Sequence, residues 1–229
     1  MQPVVAVTGV FAYTGHKNHL CKDRMSTLGS LFIISAASGT GKTSLVIALL
    51  QSQKYLTVSI SHTTRKQRPG EVDGEHYHFI DEATFIKMRD NREFLEHAHV
   101  FDNYYGTSAA SVKSLLESGK DVILEIDWQG ALQVKAMLPE SISIFILPPS
   151  ITALDERLRS RGQDDENVIQ RRMQDAKSDI AQYEQFDYIV INDHFEEACK
   201  QMVQIFKASQ LLTSKQARRE HALLEELIN

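Results

Sequence analysis

Cysteine is almost missing from the sequence: Cys21 and Cys199 are the only two in 229 residues. Two cysteines make neither a disulfide framework nor a cysteine-built zinc site, and they fit a reducing, cytoplasmic setting. No apolar run approaches the length needed to span a bilayer. An excess of positive charge is lacking too. The formal net charge is −5, which argues against general nucleic-acid binding but not against small anions met by local clusters. Nor does the start read as a secretory signal, because Lys17, Lys22 and Arg24 follow the mildly apolar opening instead of preceding it. These absences leave a soluble intracellular chain, long enough for one α/β core with an inserted subdomain. Residues 1–29 read as an extension, either a disordered tail or a misassigned start with Met25 as the alternative initiator.

The stretch that organises the rest is Leu31 to Leu49, LFIISAASGTGKTSLVIAL. An apolar, β-rich run meets a turn of small residues, then Gly41-Lys42-Thr43, then apolar residues at helical spacing. Small residues let successive backbone N–H groups curl around an anion, and the helix N-terminus adds its partial positive charge. Lys42 then reaches the β- and γ-phosphates of a nucleotide, and the Thr43 hydroxyl can ligate Mg²⁺. The pattern G-x-x-x-x-G-K-[ST] is met except at its first position, where Ala36 stands for glycine. Alanine is tolerated there if φ is negative.

Further strands are predicted at Leu56–Ile60, Asp121–Asp127, Ser143–Leu147 and Tyr188–Ile191, and helices at Thr43–Gln51, Ala109–Ser118, Gln129–Leu138, residues 151–161, about 166–183 and Phe195–Leu212. Residues 215–228 read as one last helix. Strand and helix alternate, which implies a parallel sheet covered on both faces. Between 61 and 108 the texture changes to short strands, close turns and one short helix (Glu82 to Arg89), the mark of a small mixed subdomain inserted into the α/β unit. Period 2 puts Glu125 and Asp127 on one strand face with Asp127 at the carboxyl end, where open parallel sheets bind ligands.

A second set of phosphate ligands narrows the chemistry. Arg65 and Arg68 lie in a turn-rich segment with Tyr77 and without an obvious local acidic partner. Guanidinium forks suit bidentate grip of a phosphate dianion. Lys66 reads instead as a solvated basic residue. Arg157, Arg159, Arg161, Arg171 and Arg172 bracket Gly162 and an acidic loop; Arg161 and Arg172 are the best placed to close over a transferring phosphoryl group, the rest to shield apolar surface. His62, His76, His78, His97 and His99 lack a third convergent ligand, so no metal site is expected of them. Two phosphate sites and an arginine flap describe a nucleoside monophosphate kinase.

In order and spacing, SAASGTGKTSL, S-x-x-TTRKQRPGE-x-DG-x-x-Y, EFLE, NYYGTS, LEIDWQG, RGQDDENVIQRRM and YIVIND resemble the motifs of guanylate kinases, over about residues 30–212. The resemblance implies a P-loop core (30–60 and 109–214), an inserted GMP-binding domain (61–108) and a helical lid (about 157–172), leaving 215–229 as a terminal helix. It implies the reaction ATP + GMP to ADP + GDP with Mg²⁺, dGMP being a further acceptor. By the same resemblance Ala36, Ala37, Ser38, Gly39, Thr40, Gly41, Lys42, Thr43 and Ser44 hold the ATP phosphates and Asn192 lies near the adenine. Arg65, Arg68, Tyr77 and Tyr105 hold the GMP phosphate, and Ser61, Glu96 and Thr107 read guanine. Lys42, Arg161 and Arg172 carry the catalysis, and Asp127 belongs to the GMP side, with a water-mediated link to the metal as one option. Two alternatives stand beside this: a non-catalytic guanylate-kinase-like binding module, and a nucleoside monophosphate kinase of other base specificity.

Overall fold

In a computed structural model of the chain, residues 29–100, 102–160 and 165–229 are described. The expectation about the N-terminal extension falls on residues 1–28, outside the described residues. Gly29, assigned to that extension, instead belongs to the core: its N–H donates to the Leu116 carbonyl at 3.3 Å, and a β-carbon there would overlap the Lys120 carbonyl oxygen.

The main sheet runs β2 (Leu56–Val58), β7 (Asp121–Glu125), β1 (Leu31–Ala36), β8 (Ile142–Leu147), β9 (Tyr188–Ile191), parallel throughout. Its central strands are continuous apolar runs because both faces are covered. On one face Phe32, Ile34, Ile123 and Ile144 pack with α1 (Lys42–Ser52) and α7 (Phe195–Ser209). On the other, Ile33, Val122 and Leu124 pack with α3 (Ala109–Glu117) and α4 (Trp128–Met137).

A second sheet, β4 (His78–Phe79), β3 (His62–Thr63), β6 (Asn103–Ser108), β5 (Phe94–Val100), is built from residues between β2 and α3, with α2 (Glu82–Asp90) inserting Phe85 against Phe94 and Tyr104. Around His76 the chain turns and forms no strand. His76 Nδ1 accepts from the Val72 N–H, and the Phe79 N–H donates to Asp73 Oδ1, so side chains replace ladder bonds across this segment.

Some boundaries differ from the sequence reading for identifiable reasons. β2 ends at Val58, where the chain turns toward the second sheet. β7 ends at Glu125, and Asp127 is the N-cap of α4, its Oδ1 accepting from the Gly130 N–H at 2.8 Å. α5 (Ile151–Ser160) and α6 (Glu166–Ile180) form an antiparallel pair closed by Leu154, Leu158, Ile169 and Ala176. The tail is two helices, not one: α8 (Thr213–Arg219) and α9 (His221–Ile228) break at Glu220, whose φ of −105° and ψ of 27° lie outside the helical region. Lys215 anchors α8 by pairing with the buried Asp121 carboxylate at 3.0 Å.

Candidate active site

The loop after β1 is shaped by two glycines with left-handed backbone, Gly39 (φ 90°) and Gly41 (φ 91°). Gly41 is doubly constrained, since a β-carbon would also stand 2.5 Å from the Asn192 amide nitrogen. Ala36 needs no glycine, because it is the last residue of β1 and pairs with Ile146. The Thr40 hydroxyl donates to the Ala37 carbonyl at 3.0 Å, closing the loop on itself. From below, Asn192 Nδ2 donates to the Thr40 carbonyl at 2.7 Å, and Arg157 Nη2 donates to the Asn192 carbonyl at 2.9 Å. Asn192 therefore sits buried beneath the loop rather than on the cleft wall.

At the mouth of α1, Lys42 Nζ donates to the Ile126 carbonyl at 3.1 Å, and the Thr43 hydroxyl donates to Glu125 Oε1 at 2.6 Å. Residues 36–44 form one wall of a cleft of about 330 Å³. Ser61, Tyr77, Glu96 and Tyr105 from the second-sheet segment form the facing wall, and Glu125, Asp127 and Asp179 the floor.

Glu96 is the buried acid of this cleft. Thr107, equally buried, donates to Glu96 Oε1 at 2.5 Å and is itself within 3.2 Å of the Ser61 hydroxyl. Burial, seconded by the nearby Asp127 charge and opposed by the Thr107 hydrogen bond, pushes the Glu96 carboxyl up to about 7. Burial also raises Asp127, whose Oδ2 is buried without a hydrogen-bond partner, and lifts Asp179 to about 6. The Tyr77 phenol is pushed up to about 12, chiefly by burial and then by the Glu125 charge.

Arg65 lies behind Tyr77, its guanidinium 5.4 Å from the ring centroid and 5.7 Å from that of Phe79. The sequence reading found no acidic partner for it, and the structure corrects this. Glu71 takes both guanidinium nitrogens, at 2.7 and 3.1 Å, and also accepts the Arg68 backbone N–H at 2.7 Å. The turn through Pro69-Gly70 folds Glu71 back onto residues that precede it by three and six. The Arg68 side chain is exposed. Arg172, on α6, reaches the phosphate loop and donates to the Ser38 hydroxyl at 2.7 Å. Arg161 lies outside the described residues. Arg159 is occupied by Asp155 and Glu166.

Sequence reasoning left Glu125 without a role, passed over Glu71 and Asp179, and read Arg157 as a shield of apolar surface where it instead bonds the Thr40 and Asn192 carbonyls beneath the loop. The Pro-Gly turn was the available signal for Glu71. Nothing local marks Asp179, which comes to the cleft only through the docking of α6.

A phosphate loop facing a second wall that carries a buried carboxylate, on a five-stranded parallel sheet, defines the class: a P-loop nucleoside monophosphate kinase. A family model described as Guanylate kinase matches residues 29–209. The chain is 54% identical over 201 residues to a guanylate kinase of Psychrobacter arcticus, covering 88% of this chain and 97% of that one. It is 52% identical over 204 residues to one of Alcanivorax borkumensis, covering 89% and 99%. The crystal structure of guanylate kinase from Anaplasma phagocytophilum superposes with a TM-score of 0.69 at 31% identity, covering 82% of this chain and 90% of that one. The chain belongs to the guanylate kinase family.

Proposed function

We propose that the chain transfers the γ-phosphoryl group of ATP to GMP, giving ADP and GDP, with dGMP as a second acceptor. The observation that carries this reading is that Lys42 and Thr43 share one cleft with Glu96, Ser61, Tyr77 and Tyr105. Residues 36–44 would cradle the ATP phosphates. Arg65 and Arg68, with Tyr77 and Tyr105, would hold the GMP phosphate.

Glu96 would select the base. Guanine offers two adjacent donors, N1–H and the 2-amino group, which one carboxylate accepts together. Adenine presents a lone pair at N1 and no 2-amino group, leaving the carboxylate buried and unpaired. Sites built on such hydrogen bonds discriminate by roughly 10⁴-fold. Thr107 supports the same edge by holding Glu96 Oε1 in place, and Ser61 backs it through the Thr107 hydroxyl.

The attacking group is already a phosphate oxygen, so no general base is needed. Catalysis consists of positioning and neutralisation of charge by Lys42, Arg161 and Arg172. The residues present also fit Mg²⁺: the Thr43 hydroxyl lies against Glu125 and the partnerless Asp127 Oδ2 is near the loop. No group of three or more acidic, histidine or cysteine ligands gathers among the described residues, in keeping with a cation held by one or two protein oxygens, waters and substrate phosphates. When bound, the ion would offset the negative charge of the phosphates. Two cysteines and soluble nucleotide substrates support a cytoplasmic setting.

The test is purified protein with Mg-ATP and each of GMP, dGMP, AMP, UMP and dTMP, following ADP release. Activity with GMP and dGMP alone is expected. Activity with AMP but not GMP would overturn the base assignment, and none with any acceptor would favour a non-catalytic binding module.

A further inference from the structure

The chain has a single tryptophan, Trp128, and its indole Nε1–H donates to Asp179 Oδ1 at 3.1 Å. This bond joins two elements that are otherwise separate in sequence: the start of α4, immediately after the α4 cap Asp127, and the end of α6. On α6 the residues Arg172, Ala176 and Asp179 fall at i, i+4 and i+7, along one face. Ala176 is fully buried on that face, packed with Leu154, Leu158 and Ala37. The helix is therefore pinned at two points about 10 Å apart along its axis, by Arg172 on Ser38 of the phosphate loop and by Asp179 on Trp128. Between the pins, among the described residues, lie Ala176 and no further hydrogen bond to the core on this face, so beyond the apolar packing of α6 its register is tied by polar contacts at mid-helix and near its C-terminal end.

We infer that the Trp128–Asp179 hydrogen bond sets the register of α6 against the core and so places the Arg172 guanidinium over the phosphate loop; Trp128 and Asp179 are positioning residues for phosphoryl transfer. The inference rests on the phosphotransferase reading above. It differs from a direct role in binding, because Asp179 carries the same charge as the phosphates that enter the cleft and cannot attract them. What it can do is hold an indole N–H. Burial pushes its carboxyl up to about 6, while the indole hydrogen bond opposes that rise. Small errors in the placement of a transition-state cation are felt in turnover before they are felt in affinity.

The experiment compares wild type with Trp128→Phe, Asp179→Leu and Asp179→Asn, each alone and on an Arg172→Ala background, with folding checked by circular dichroism. Trp128→Phe and Asp179→Leu should lower kcat by about tenfold and change KM for GMP by less than about twofold. Asp179→Asn, whose carbonyl oxygen still accepts from the indole, should stay within about twofold of wild type. On the Arg172→Ala background the further loss should shrink below about twofold, because the guanidinium to be placed is gone. Emission from Trp128 supplies a readout independent of turnover: it should shift in Asp179→Leu and stay near the wild-type wavelength in Asp179→Asn. Wild-type kcat in Trp128→Phe, an Asp179→Asn as impaired as Asp179→Leu, a full effect without Arg172, or an unshifted spectrum in Asp179→Leu would each overturn the inference. An inactive wild type would instead sink the phosphotransferase reading, and the emission arm would still report whether the pin exists.

Discussion

The α-carbon of Gly130 lies so close to the Glu96 carboxylate that a β-carbon there would stand 2.5 Å from Oε2 and 3.1 Å from Cδ. The first turn of α4 thus backs the Glu96 carboxylate, which we propose reads the base, and glycine is what lets it come that near. Gly130→Ala should push the Glu96 carboxylate off the Thr107 hydroxyl and toward the cleft. The substitution improves helix propensity by up to about 1 kcal/mol, so the melting temperature should move little. KM for GMP should rise about tenfold, equivalent to about 1.4 kcal/mol, with KM for ATP nearly unchanged. Steady-state kinetics with each nucleotide varied in turn checks this, and an equal loss on both sides would contradict the placement.

The raised Glu96 carboxyl gives two pH effects of known sign. In the free protein its folded value, about 7, exceeds the usual carboxylate value, so the folded state binds the extra proton. Its contribution to stability is full at acid pH, below the unfolded carboxylate range, and is lost as pH rises toward about 7, by an amount of order 3 kcal/mol. Denaturant midpoints for Glu96→Gln should therefore decline less steeply over that window than those of wild type. Substrate binding runs the opposite way, because the guanine donors need the ionised form. kcat/KM for GMP should climb with pH and level off above about 7. The corresponding limb should vanish in Glu96→Gln, which also corrects for titration of the substrate phosphate.

Glu71 makes a sharper test of the phosphate side. It fixes the Arg65 fork through two nitrogens and ties down the Arg68 backbone, and together with the Arg65 stack on Tyr77 and Phe79 it sets the direction the guanidinium faces. Glu71→Ala should raise KM for GMP by about five- to tenfold while kcat stays within about twofold, the pattern of binding lost equally from ground and transition states. A lower KM would show that Glu71 competes with the phosphate for Arg65, and would end the positioning role.

The parallel core was legible because its strands are buried on both faces and so read as unbroken apolar runs, Leu31 to Ile34 and Val122 to Leu124 among them. The phosphate loop was legible because its two left-handed positions admit little but glycine. The second sheet was harder. β3 and β4 are two residues long, and the segment between them is held by Asp73 and His76 side chains acting on backbone N–H groups, which leaves no periodicity to read. Glu71 was missed because its partner is reached by a fold-back, and Asp179 because its place depends on where a whole helix docks. The break at Glu220 falls in a run, 215–228, with no glycine or proline to mark it, so the sequence read it as one helix.

Lys42 offers the most demanding test, because beyond its proposed place on the phosphates its ammonium acts on the acids of the cleft. Its charge also holds down the carboxyls of Glu96, Asp127 and Asp179, each of which would sit higher without it. Lys42→Ala should lower kcat by about 10²–10³-fold, the scale of a lost preorganised charge at a transition state. At neutral pH it should also weaken GMP binding slightly, because Glu96 stays protonated to somewhat higher pH once the Lys42 charge is gone. Calorimetry at two pH values separates these effects. Near pH 8.5 GMP affinity should approach that of wild type, while at pH 6.5 it should fall modestly short. A deficit of equal size at both values would mean that Lys42 contacts GMP directly, and near-normal turnover would remove it from the catalytic set.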